Sequence, residues 1–150
     1  GLWPSWGDPR VAAVITMAGD SYLFDQAGLA ALTVPVLAMG GTADTGTPTE
    51  WGILPTFEYA SSPQKALVQF ENAEHGIFGL GCPAAPWLVD IGFTWMCADA
   101  IWDKDRVHDL INYFTTAFLL ATLNDDAEAA AALAPDAVQF PGVSYEVQGF

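Results

Sequence analysis

The chain has 150 residues, 52% of them hydrophobic, and carries only four Lys and Arg against 18 Asp and Glu, for a formal charge of -14. That is one domain's worth of sequence with enough apolar content for a core, and its charge argues against nucleic acid and anionic membrane surfaces, both of which need basic partners. The longest apolar stretches, such as Phe114 to Leu123, are interrupted by threonines and fall short of the roughly 20 residues that span a bilayer.

The opening Gly1-Leu2-Trp3-Pro4-Ser5-Trp6 lacks an initiator methionine, a basic leader and a signal-peptide core. The expectation is a matured chain or, preferably, one piece of a longer polypeptide. A loop rich in Trp, Pro and Gly then ends at Asp8-Pro9-Arg10. Val11 to Ala18 is a continuous apolar run with β-branched members and reads as a buried strand ending at Gly19-Asp20. A short segment with Leu29 and Leu32 leads to Pro35.

The organising stretch is Val34-Pro35-Val36-Leu37-Ala38-Met39-Gly40-Gly41-Thr42-Ala43-Asp44. A short apolar run bounded by turn residues suits a strand buried on both faces of a parallel sheet. Asp44 then lies past the strand's carboxyl end, where open α/β sheets place their ligand sites. The plainer alternative is that Asp44 only caps a helix starting near Pro48.

Thr49 to Tyr59 has helical character weakened by Gly52 and Pro55. Lys65 to Phe70 reads as a third strand, closing in Glu71-Asn72-Ala73-Glu74-His75-Gly76, and Trp87 to Met96 as a helix. The clearest helix begins at Asp103, an N-cap, with Val107, Leu110, Ile111, Phe114, Phe118 and Ala121 at helical spacing. Asn124-Asp125-Asp126 ends it and Ala127 to Leu133 forms a shorter helix. The tail alternates around Val138, Phe140, Val143, Tyr145 and Val147, as an edge strand or a surface segment. Residues 1–123 form the domain and 124–150 an extension.

Strand, helix, strand, helix, strand, helix implies a parallel sheet with crossover helices, an α/β class. Three such strands would leave two open edges and too few helices to cover them. A partner segment, preceding this one in the same gene product, is therefore expected to complete the sheet. Cys82 and Cys97 are too few for a structural zinc site. A disulfide, and with it an oxidising compartment, is the preferred reading; two buried free thiols, or bonds to cysteines outside the chain, stay open. Most of the six tryptophans are expected in the core.

Asp20, Asp44 and His75 fall at three consecutive strand ends, along one rim, where a carboxylate can fix an imidazole's tautomer and stabilise the imidazolium formed in general-base work. No Gly-x-Ser-x-Gly elbow occurs. Three blocks now carry a resemblance: Asp8-Pro9-Arg10-Val11-Ala12-Ala13-Val14; Val34-Pro35-Val36-Leu37 with Gly41-Thr42-Ala43-Asp44 and Pro48; and Lys65-Ala66-Leu67-Val68 with Asn72-Ala73-Glu74-His75-Gly76-Ile77-Phe78. Over roughly residues 8–80 the chain resembles the C-terminal half of an α/β-hydrolase of the dienelactone-hydrolase-like, platelet-activating-factor-acetylhydrolase-like or cutinase-like polyester-hydrolase groups.

The resemblance implies that Asp44 is the acid and His75 the base of a serine triad, with Asp20 as the alternative acid. The serine, its elbow and the oxyanion loop would lie in the N-terminal half, before Gly1. It further implies a secreted or periplasmic serine ester hydrolase with no metal or organic cofactor and an apolar ester substrate facing Trp51, Ile77, Phe78 and Trp87. A homo-oligomer is left open. Two competing readings are an inactive hydrolase-like binding or assembly module, and an SGNH-type esterase using Ser21 with Asp105 and His108. The last lacks that family's intervening blocks, and it puts His108 inside a helix.

Overall fold

The computed structural model describes Trp3 and residues 7–150; apart from Trp3, the opening hexapeptide lies outside the described residues. Four strands form one sheet in the order β1 (Val14–Met17), β2 (Val36–Gly41), β3 (Lys65–Phe70), β4 (Val143–Gln148). The first three are parallel and β4 runs antiparallel to β3, so this is a mixed, mostly parallel α/β sheet.

Strand β1 is shorter than the apolar run suggests. Its ladder opens with Val14 donating to the Pro35 carbonyl at 2.9 Å, and Val14 pairs with Val36. Pro35 has no N–H to extend the ladder, which leaves Val11 outside and exposed. The strand is only half buried, because no described strand covers its outer edge. Strand β2 meets expectation: all six residues are buried.

The alternation of side chains divides the core in two. Leu37 and Met39 of β2, with Ala66, Val68 and Phe70 of β3, face α4 (Lys104–Leu123). Ala38 and Leu67 point the other way, onto Ile53 of α2 (Ile53–Tyr59), which α1 (Asp25–Ala30) adjoins. Helices therefore cover both faces. In α4 the buried stripe is Val107, Leu110, Ile111, Phe114, Ala117, Phe118 and Ala121, a 3.6-residue period. Asp103 caps it by accepting from the Arg106 N–H at 2.9 Å.

Two expected helices are broken. Thr49–Trp51 forms a single 3-10 turn, and Gly52, at φ -137° and ψ -81°, separates it from α2. Pro55 falls in the first turn of α2, where a missing N–H breaks no bond. The helix expected from Trp87 to Met96 is only α3 (Trp87–Asp90) followed by a 3-10 turn, Thr94–Met96. Gly92 between them takes φ +81°, a left-handed conformation that ends a helix.

Residues 124–150 belong to the same body. The short helix α5 (Ala127–Ala132) is capped by Asp126 and lies on α4. Leu133 and Val138 join the α4 core, and Tyr145 of β4 stacks on Phe114 at 5.6 Å between ring centroids. The edge of β3, expected to be open, is thus covered by the chain's own tail. The tryptophans depart from expectation: Trp3, Trp51, Trp87 and Trp95 are all more than half exposed. Trp3, Trp51 and Trp95 lie in loops or short turns and Trp87 opens the short helix α3, none of them on the core faces of β2, β3 and α4.

Phe114 is fully buried between Phe140 and Tyr145. Phe114→Ala should lower the unfolding free energy by about 3–5 kcal/mol. Leu123→Ala, on the exposed side of α4, should change it by no more than about 0.5 kcal/mol. Urea titration of both variants is the measurement.

Candidate active site on the sheet rim

Strands β2 and β3 end side by side, and their following loops are laced together. Thr42 donates to the Phe70 carbonyl and Ala43 to the Ala73 carbonyl, each at 3.0 Å, while the Asn72 N–H donates to Thr42 Oγ1 at 2.8 Å. Gly41 is required for this approach, since a Cβ there would overlap the Ala73 carbonyl. The lacing delivers Asp44 from one loop and His75 from the other.

The carboxylate of Asp44 is divided between two tasks. Its Oδ1 accepts from the backbone N–H groups of Gly46 and Thr47, both at 2.8 Å. Its Oδ2 lies 2.8 Å from His75 Nδ1 and accepts from Thr47 Oγ1, also at 2.8 Å. Oδ1 thus closes an Asx-type turn ahead of Thr49–Trp51, whose N-cap, Pro48, receives no side-chain bond, so Asp44 does not cap that helix; Oδ2 is left for the histidine. Thr47 Oγ1 is also 3.1 Å from His75 Nδ1, so the three side chains form one closed triangle. With its proton committed to Asp44, the threonine oxygen can share the Nδ1–H. That fixes the imidazole with hydrogen on Nδ1 and a lone pair on Nε2.

The Asp44 side chain is 1% exposed and that of His75 42%. Burial pushes the Asp44 carboxyl up, but the Thr47 N–H, His75 and the Thr47 hydroxyl together outweigh it and hold the carboxyl below its ordinary value. A carboxylate anchored by fixed donors beside a half-exposed imidazole is suited to orienting that ring and stabilising its charged form.

The imidazole lines a cavity of about 530 Å³ together with Gly46, Glu74, Trp95, Ala98 and Asp99. The Trp95 ring is 6.4 Å from the imidazole, centroid to centroid, and tilted against it. Trp95 sits just before Cys97, which is bonded to Cys82 across 15 residues. Among the described residues no serine or cysteine lines this cavity. Among the described residues no group of three His, Cys, Asp or Glu side chains is gathered as a metal site.

The other expected residues lie elsewhere. Asp20 is exposed, and its side chain hydrogen-bonds none of the described residues; the carboxylate at the imidazole is that of Asp44. Ile77 is fully buried in the α4 core and cannot face a substrate. Phe78 packs edge-on against Phe70 at 6.1 Å. Trp51, beside Tyr22, and Trp87, on α3, are exposed but line no part of the cavity.

Nor do Ser21, Asp105 and His108 assemble. The Ser21 hydroxyl is buried and donates to the Gly52 carbonyl at 2.8 Å. His108 Nε2 lies 2.9 Å from the Ile77 carbonyl, and Asp105 is exposed in the first turn of α4. Thr47 and Trp95 were not singled out in the sequence. The Asp-x-x-Thr spacing, typical of a side-chain-capped turn, is a local sign for Thr47; Trp95 has none.

Because the folded Asp44 carboxyl lies below 3.8, its ordinary value, folding favours the ionised form. That contribution is complete above about pH 4 and is lost as pH falls through the lower folded value. Asp44→Asn should therefore destabilise the protein at pH 7 by about 1–3 kcal/mol. The gap to wild type should close as acid unfolding is followed downward from pH 4 by circular dichroism. Searches of protein-family models and of curated proteins find no match to this chain.

Proposed function

We propose that this chain is the C-terminal part of an α/β-hydrolase acting on carboxylic esters, supplying the acid and base of a Ser-His-Asp triad. The observation that carries the reading is the buried Asp44 carboxylate bonded to His75 Nδ1, at the carboxyl ends of adjacent parallel strands. The resemblance of the three sequence blocks adds the order acid before histidine. In this reading His75 Nε2 takes the proton of a serine hydroxyl from another segment, the serine attacks the ester carbonyl, and the protonated imidazole releases the alcohol. Water then cleaves the acyl-enzyme by the same route. Asp44 orients the ring throughout.

The serine-bearing segment would pair with the outer edge of β1. Beside that strand lies an apolar groove of about 570 Å³, lined by Val11, Val14, Phe24, Leu29 and Leu32, which suits burial under further chain. Trp95, half exposed beside the imidazole, replaces Ile77 and Phe78 as the aromatic wall for an apolar ester. The disulfide is compatible with an extracytoplasmic location. A second reading, an inactive hydrolase-like module, is favoured by the lack of a serine or cysteine among the described residues of the cavity lining.

A fluorophosphonate probe and p-nitrophenyl esters of increasing chain length distinguish the two. The hydrolase reading expects a labelled serine outside residues 1–150. It also expects His75→Gln to lower kcat/KM by about 10³-fold or more, and Asp44→Asn by up to about 10⁴-fold. Purified protein that takes no label and cleaves no ester, or whose hydrolysis survives His75→Gln, would sink it.

A further inference from the structure

The turn that carries His75 is held from behind by a half-buried cation. Lys104, the first residue of α4, donates from Nζ to the Gly76 carbonyl at 2.5 Å and to the Gly79 carbonyl at 2.9 Å, with the Met96 carbonyl at 3.5 Å. These oxygens belong to two different segments. Gly76 lies within the 3-10 turn His75–Phe78 and Gly79 directly follows it, and Met96 follows the cavity-wall residue Trp95. No carboxylate of the described residues forms an ion pair with this ammonium. Its three donors are spent on backbone oxygens.

Neighbouring side chains reinforce the hold. Asp99 accepts from the Glu74 N–H at 2.9 Å, and also from the N–H groups of Ile101 and Trp102. Trp102 Nε1 donates to the Glu71 carbonyl at 2.9 Å. The loop from 71 to 79 is thus pinned at both ends by the segment leading into α4, and Lys104 grips the part that bears the imidazole.

We propose that Lys104 is a positioning residue for His75, setting the ring against Asp44 by clamping the Gly76 and Gly79 carbonyls. The chemical consequence rests on the reading of His75 as general base; the clamp itself does not. Burial pushes the Lys104 ammonium below the ordinary lysine value, and the nearby charge of Asp99 opposes it. Carbonyls held by a charged donor are held more firmly than by a neutral one.

These 150 residues hold two histidines, His75 and His108, and His75→Gln and His108→Gln assign the ring ¹⁵N and proton signals of each in spectra of the protein. Wild type should show a slowly exchanging His75 Nδ1–H, absent in Asp44→Asn. Lys104→Met keeps the apolar stem and removes the donors. It should shorten the lifetime of that proton, while the His108 signals and amide dispersion report an intact fold. Lys104→Arg should fall between wild type and Met, and it decides the matter if the Met variant does not fold. In the ester assay, kcat should fall by about 100-fold in Lys104→Met with KM little changed.

An unchanged His75 Nδ1–H lifetime in the folded variants would overturn the clamp. If the clamp signature appears but hydrolysis is indifferent to His75→Gln, the general-base reading fails and the clamp stands. If wild type shows no His75 Nδ1–H that depends on Asp44, the pair on which both depend is wrong.

Discussion

The close approach of the Gly41 backbone to the Ala73 carbonyl is the constraint on which the rest of the site depends. Parallel strands place their ends in line, but that alone leaves neighbouring loops free to diverge. Here the missing side chain at Gly41 lets the β2 and β3 loops share hydrogen bonds. Asp44 and His75, 31 residues apart, meet as a result. The Asx-type turn at Asp44, the threonine bridge and the cation behind the histidine turn each fix one remaining degree of freedom. The order runs from strand pairing, through loop contact, to side-chain geometry.

The sheet has two very different margins. On one side, β4 folds back antiparallel, alternates between half-buried and exposed residues and ties the tail into the α4 core. On the other, β1 ends the described sheet with an apolar groove beside it and Met17 and Val11 exposed. A margin of the first kind is finished by its own polar alternation. One of the second kind leaves unpaired backbone groups beside an apolar surface, a combination that sheets otherwise avoid.

Residues whose roles arise within their own element were legible in the sequence. The buried run Val36 to Gly41 and the helical period of α4 could be read directly, because burial on both faces and on one stripe leave distinct patterns. So could the capping Asp103. Asp44 and His75 could be named from their places at strand ends. Roles set by distant neighbours were not legible. Lys104 reads as a surface residue at a helix start; only its position under Gly76 and Gly79 makes it a clamp. Trp95 gains meaning from the imidazole 6.4 Å away, and Ile77, beside the histidine in sequence, turns inward because a 3-10 turn reverses its direction. The expected helix over 87–96 fails at one glycine whose backbone sign no periodicity reveals.

All four cations of this acidic chain are engaged within it. Arg10 pairs with Asp8, Lys65 donates to the Glu58 and Ala60 carbonyls, Lys104 grips the histidine turn and Arg106 lies over Phe140. The cavity wall carries Glu74 and Asp99 and no lysine or arginine. Such a field is nearly indifferent to a neutral ester but not to what hydrolysis makes from it. On the proposed reading, a newly formed carboxylate would find itself among like charges as it left the site, and it would be driven outward. For an ester hydrolase built this way, departure of the acid would be assisted by the same acidity that sets the chain's overall charge.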